Sequence, residues 1–228
     1  MRDHVDTIAP ISAAGPAPGS KYDRLIARAK EARPAITMVV HPCDESSLRG
    51  AIEAAELGII KPVLVGPAAK IRAVAREHGI DLKDYQIVDA PHSDAAAAKA
   101  VELIRESKGD LLMKGSLHTD ELMRAVTSSS TGLRTARRIS HVFVMDVPTY
   151  PETLFITDAA INIFPDLEVK RDIIQNAIDL FTDVGLGTPR VAILSAVETV
   201  TPKIPSTIDA AALCKMADRG QITGGLLD

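Results

Sequence analysis

The residues able to do chemistry gather in three stretches between Met113 and Ile208. The first is Lys114-Gly115-Ser116, after an apolar run that ends at Met113. Gly115 lets the chain turn closely, and Thr119 is placed to cap a helix whose free first-turn N–H groups and positive dipole end would face a ligand. Phosphate suits such a place, and Lys114 would add an ammonium with three donors. Read by spacing alone, the same residues also make an ordinary strand-to-helix turn with a surface lysine. The second stretch, residues 114–138, carries Lys114, Arg124, Arg134, Arg137 and Arg138 against Asp120 and Glu121, a surplus of three positive charges. Concentrated cations beside a phosphate cradle suit a ligand with several phosphates. Arg137 and Arg138 fit a solvated basic loop equally well.

The third stretch holds Ser195, Glu198, Thr201, Lys203, Ser206 and Thr207. Hydroxyls near a helix start can hold phosphate oxygens or a polarised carbonyl without supplying a nucleophile. Ser195 lies in SAVET, which is not the G-x-S-x-G elbow, so a covalent serine mechanism has no support. Ser206 with Asp209 has capping-box spacing, which makes Ser206 a helix cap as readily as a ligand, and Glu198 can simply pair with Lys203. The six histidines, His4, His41, His78, His92, His118 and His141, show no HExxH or other ligand spacing, and neither GxGxxG nor GxxxxGK[ST] occurs. Nicotinamide and ATP fingerprints are therefore missing, and no metal site is expected.

The elements that must position these residues are legible from periodicity. Lys21–Arg33 has helical spacing and stops before Pro34. Ile36–Val40 reads as a strand, Asp44, Ser46 and Ser47 offer caps, and Leu48–Leu57 reads as a helix ended by Gly58. Pro62–Val65 and Ala68–His78 repeat the unit, Gln86–Val88 with a helix from Ser93 to Glu106 makes a third, and Leu111–Met113 starts a fourth. Consecutive strand–helix units predict a parallel sheet with right-handed crossovers. Chemistry belongs at the carboxyl ends of such strands.

After Val126 the pattern changes. A Ser/Thr/Gly loop leads to two neighbouring strands, Ile139–Val147 and Thr153–Thr157, then to a helix over Glu168–Asp183. Val191–Leu194 reads as a short buried strand, and a helix of small residues starts at Ser206. The organisation expected is a flexible leader over residues 1–20, a first α/β lobe over 21–126 and a second, incomplete lobe over 127–228, with a cleft between the lobes.

Composition narrows the partners. The chain has 228 residues, 46% of them hydrophobic, and a net charge of −4 without a long block of like charge. Nucleic acid and membrane surfaces gain nothing from that balance. Only 3% of residues are aromatic, too few for a base-stacking or sugar-stacking platform. Cys43 and Cys214 are far apart and form no CxxC, so a disulfide framework is not expected and a cytoplasmic setting is.

The blocks DESSLRGA (44–51), KGSLHTDELMRAV (114–126), GLRT (132–135), ISHVFVMDVP (139–148), ITDAAINIFPDLEVK (156–170) and SAVETVTPKIPSTIDAAALCKMADRGQITGGLLD (195–228) together resemble the phosphate acetyltransferase and phosphate butyryltransferase family. That resemblance implies an α/β fold akin to isocitrate and isopropylmalate dehydrogenases, with two lobes around a cleft. It implies acyl exchange between coenzyme A and inorganic phosphate, coenzyme A being a substrate rather than a bound cofactor, and a homodimer or larger assembly. Substrate binding is expected at Lys114, Gly115, Ser116, Thr119, Arg124, Arg134, Ser195, Glu198, Ser206 and Thr207. Asp158 and Asn162 resemble residues near the cleft but receive no step. The family extends past this chain's last residue, which reads as a C-terminal truncation, and its general base is expected beyond Asp228. Two other readings stand beside it: a non-catalytic coenzyme A or phosphometabolite-binding module, and a metal-dependent dehydrogenase on the same scaffold.

Overall fold

The structure, a computed structural model, describes residues 20–228. The leader expected over residues 1–20 lies outside the described residues except for Ser20. That serine is not leader: it caps helix α1 (Lys21–Glu31), its Oγ accepting from Asp23 N while the Asp23 carboxylate accepts from Ser20 N. His4 also lies outside the described residues.

Four parallel strands form the main sheet: β1 (Ala35–Val40), β2 (Ile60–Gly66), β3 (Gln86–Asp89) and β4 (Leu111–Lys114), in the order β3-β2-β1-β4. Strand β1 is almost wholly apolar because it is covered on both faces. Its Met38 and Val40 enter one core cluster with Ala96, Ala97, Ala100 and Leu122, on helices α4 (Ser93–Arg105) and α5 (Thr119–Val126). Val39, between them, enters the opposite cluster with Leu48, Ala51, Ile71 and Ala75, on helices α2 (Glu45–Glu56) and α3 (Ala68–Glu77). Asp44 caps α2 by accepting from Ser47 N at 2.8 Å.

The chain winds outward from β1 to β3 and then returns to place β4 on the other side of β1. The order therefore reverses between β1 and β4, and a crevice opens at the carboxyl ends of strands where this happens.

Past α5 the elements are shorter. Strands β5 (Val142–Met145) and β6 (Leu154–Thr157) form an antiparallel pair, and helix α6 (Leu167–Asp183) follows. Strand β7 is only Arg190–Val191, paired in parallel with β8 (Leu226–Leu227). The buried strand expected to run to Leu194 is thus corrected: its ladder ends with β8, and Leu194 is 89% exposed. Helix α7 (Pro205–Asp218) packs on α6 through Leu213, Ile174 and Ile178. The amino end of α1 is tied to this part of the molecule, since Lys21 Nζ donates to the carbonyls of Val147 and Tyr150, both at 2.6 Å.

Candidate active site

The carboxyl ends of β1 and β4 are clasped together. Gly115 N donates to Val40 O at 2.9 Å and Ser116 N to His41 O at 2.9 Å. The Ser116 hydroxyl donates to His41 O at 2.9 Å and accepts from Cys43 N at 3.1 Å. A Cβ on Gly115 would stand 2.4 Å from Val40 O, so only glycine lets these backbones approach. His41 takes a left-handed φ of 55° and is buried, with Nδ1 3.3 Å from the Ser116 carbonyl. Ser116 is thereby occupied as a structural clasp. Lys114 is exposed, its ammonium 3.3 Å from Gly115 O.

Beyond the clasp the chain enters α5. The expected Thr119 cap is corrected, because His118 occupies the N-cap and Thr119 is the first helical residue. Glu121 completes the start by accepting from His118 N at 3.0 Å while its other oxygen takes the Ser93 hydroxyl at 3.1 Å. His118 and Thr119 form one wall of a cleft of about 1500 Å³. Its other walls are the 133–142 segment, residues 160–162, and α6 with its N-cap Asp166, including Arg171, Asp172 and Asn176.

Arg134, Arg137 and Arg138 all line this cleft. Their situations differ. Arg137 pairs with Asp179 and also donates to Asn176 Oδ1 at 3.2 Å, and Arg171 pairs with Asp172 at 2.9 Å. Burial tends to raise the Asp172 and Asp179 carboxyls, but donors outweigh it and hold both below the usual carboxylate range: Arg138 N and Arg171 for Asp172, Arg137 and Gln175 for Asp179. The guanidinium groups of Arg134 and Arg138 have no carboxylate partner among the described residues. The cleft therefore keeps two guanidinium groups that no carboxylate pairs directly, although Asp120, Asp166, Glu168 and Asp172 also line it.

The remaining candidates fall elsewhere. Of the ten residues assigned, Thr119 and Arg134 line the cleft; Lys114, Gly115, Ser116, Arg124, Ser195, Glu198, Ser206 and Thr207 do not. Arg124 is at the rim, 3.3 Å from Asp120, itself a lining residue, and 3.4 Å from Asp94. Ser206 is not a cap. Helix α7 starts at Pro205, whose missing N–H costs nothing in a first turn, and Asp209 is drawn to Lys170 Nζ at 2.6 Å instead of reaching back. The Ser206 and Ser195 hydroxyls bond each other at 2.6 Å. Thr207 is buried, with its hydroxyl shared between the carbonyls of Thr201 and Ile204 and accepting from Thr201 N. Glu198 is exposed, and no ion pair joins it to Lys203 among the described residues.

Sequence reasoning missed the contribution of α6. The helix itself is expected from periodicity, but its polar face, starting at the Asp166 N-cap, builds a wall of the cleft. No group of three or more His, Cys, Asp or Glu among the described residues is placed to hold a metal ion, and no described helix is long and apolar enough to cross a membrane.

A parallel sheet flanked by helices, beside a cleft lined by arginines, defines an α/β protein. Residues 92–227 match the phosphate acetyl/butaryl transferase family, and the chain belongs to that family. It is 75% identical over 213 residues to the phosphate acetyltransferase of Rhizobium meliloti, covering 93% of this chain and 67% of that protein. The phosphate acetyltransferase of Rickettsia felis is 58% identical over 205 residues, covering 90% of this chain and 59% of its own length. The chain thus spans about three fifths to two thirds of these relatives. A crystal structure of a phosphotransacetylase from Streptococcus pyogenes superposes with a TM-score of 0.69 at 16% identity, over 90% of this chain and 73% of that one, a likeness of fold alone.

Proposed function

We propose that this protein exchanges a short acyl group, acetyl in the first instance, between coenzyme A and inorganic phosphate. The observation that carries the proposal is the pair of guanidinium groups, Arg134 and Arg138, that make no ion pair among the described residues in the cleft that α5 enters with its amino end. Phosphorylated reactants would supply the missing anions. Both relatives described above are phosphate acetyltransferases, which favours acetyl over butyryl.

In the proposed reaction the coenzyme A thiol, losing its proton to a base, attacks the carbonyl carbon of acetyl phosphate. The C–S bond forms, the C–O bond to phosphate breaks, and inorganic phosphate leaves; the reverse also runs. Positioning two polyanionic reactants supplies much of the rate, and fixed donors stabilise charge on the carbonyl and phosphate oxygens. Thr119 and Arg134 would contact ligand directly, and Arg124 would move from Asp120 to a phosphate oxygen. Lys114 would act from the clasped β4 end, and Gly115 and Ser116 would hold that end in shape. Ser195, Glu198, Ser206 and Thr207 would belong to a second binding surface around the start of α7.

The scaffold belongs with this reading as a proposal: lobes over 21–126 and 127–228, arranged as in isocitrate and isopropylmalate dehydrogenases, in a cytoplasmic homodimer or larger assembly. The test follows thioester formation from acetyl phosphate and coenzyme A. It uses this chain and, beside it, the chain extended by the remaining segment of the Rhizobium meliloti relative. Thioester is expected from the extended form. Coenzyme A binding with no thioester from any short acyl phosphate would make the protein a binding module, and turnover only with NAD and a divalent ion would make it a dehydrogenase.

A further inference from the structure

Asn162, in the cleft wall, and Asp158, behind it, form an arrangement that bears on Arg138. The Asp158 carboxylate accepts from the backbone N–H groups of His141 at 3.1 Å, Ala160 at 3.2 Å, Ile161 at 3.2 Å and Asn162 at 3.0 Å. It also accepts from the Asn162 side-chain amide. Burial tends to raise this carboxyl, but the Asn162 side chain and the turn N–H groups outweigh it and keep the group ionised below the usual range.

The amide of Asn162 is fully committed. Its nitrogen donates to Asp158 and, at 2.9 Å, to the carbonyl of Ile139, so a flip would set oxygen against two acceptors. The amide oxygen is thereby turned toward Arg138 Nε, 3.4 Å away. The Arg138 backbone is pinned on both sides by α6, its N donating to Asp172 at 2.9 Å and its carbonyl accepting from Asn176 at 2.9 Å. Backbone and Nε are held, while the two terminal nitrogens have no partner among the described residues. A guanidinium held at Nε presents its outer edge for bidentate contact with a tetrahedral anion.

We propose that Asp158 and Asn162 are positioning residues that aim Arg138 at a phosphate group bound in the cleft. The inference rests on the phosphate-ligand reading above and adds a residue and an orienting pair that the family resemblance left without a role. The phosphate can belong to coenzyme A or be inorganic phosphate, and titrating each separately tells them apart.

The experiment is a double-mutant cycle of Arg138→Ala and Asn162→Leu, read by calorimetric titration with coenzyme A and with inorganic phosphate, with thermal melts for folding. Loss of a charge-assisted phosphate contact predicts that Arg138→Ala weakens the ligand it serves by about tenfold or more. Asn162→Leu is expected to weaken that same ligand, and the double variant no further than Arg138→Ala alone. Arg138→Lys keeps the charge but has no Nε for Asn162 to hold, so Asn162→Leu should have no added effect on binding in that background even if it lowers the melting temperature. Additive effects, or unchanged affinity for both ligands in Arg138→Ala, would overturn the positioning role while leaving the functional reading intact. Failure of the unsubstituted protein to bind either ligand would overturn both.

Discussion

The sheet unit over residues 35–126 and the elements over residues 139–228 solve the burial problem differently. In the first, strands covered on both faces bury Met38, Val39, Val40, Leu64 and Val65 almost completely. In the second, strands of two to four residues leave much apolar surface in contact with solvent: Phe143, Val144 and Ile156 are exposed, and Ile163 and Phe164 are 84% and 96% exposed. A continuous sheet makes the first unit a rigid support, and the cleft is built where its β4–α5 end meets the more open second region. The cleft's free cations come from the segment joining the two.

That contrast can be broken most sharply in the sheet. Leu64→Ala removes a fully buried side chain from β2 and is expected to cost about 2–5 kcal/mol in a urea melt. Gly115→Ala should follow at about 1–3 kcal/mol, because its Cβ meets the Val40 and His41 carbonyls, which belong to backbone that cannot swing aside. A cost near zero for either would mean that the sheet is not the rigid half.

At the junction the expected effect falls on function instead of stability. Arg124 is exposed and its ion pairs with Asp94 and Asp120 are of the kind worth only about 0.2–1 kcal/mol. Arg124→Ala should therefore scarcely move the melting temperature, yet lower kcat/KM for acetyl phosphate in the extended form by about tenfold, the loss of one charged hydrogen bond. Unchanged kinetics would remove Arg124 from the rim of the site.

Acid should loosen the second region through Asp158, Asp172 and Asp179, all held below the ordinary carboxylate range in the folded protein. The unfolded chain takes up their protons first as pH falls. Their contribution is complete above about pH 5, where unfolded carboxyls are ionised, and is lost as pH drops through the lowered folded values. Asp158→Asn should flatten the acid limb of a stability-against-pH curve, and an unaltered limb would count against the role of the turn. The smallest effect is reserved for the exposed apolar residues. Leu194→Ser should change stability by less than about 0.5 kcal/mol, as surface substitutions do.

Much of this architecture was legible because sheet burial leaves periodic marks. The strand–helix alternation from Ile36 to Met113 gave parallel strands, and Asp44 announced α2 by its side chain. Legibility failed where tertiary partners decide. Asp209 has capping-box spacing from Ser206, but Lys170 from a distant helix claims its carboxylate. Ser116 has the composition of an anion cradle, but its hydroxyl is taken by the neighbouring strand's loop. Arg137 and Arg138 are adjacent and identical in sequence terms; Asp179 neutralises the first, whereas the second faces an amide oxygen. No local pattern separates those two fates.

The central claim is that the two arginines without ion pairs in the cleft, Arg134 and Arg138, hold a phosphorylated ligand. Its most direct test is a calorimetric titration of coenzyme A into the protein and into the Arg134→Ala, Arg138→Ala double variant at two salt concentrations. We predict saturable binding that weakens as salt rises, and a loss of about a hundredfold or more in the double variant, two charge-assisted contacts, at an unchanged melting temperature. Equal affinity in the two proteins, or no binding by the unsubstituted chain, would contradict the account.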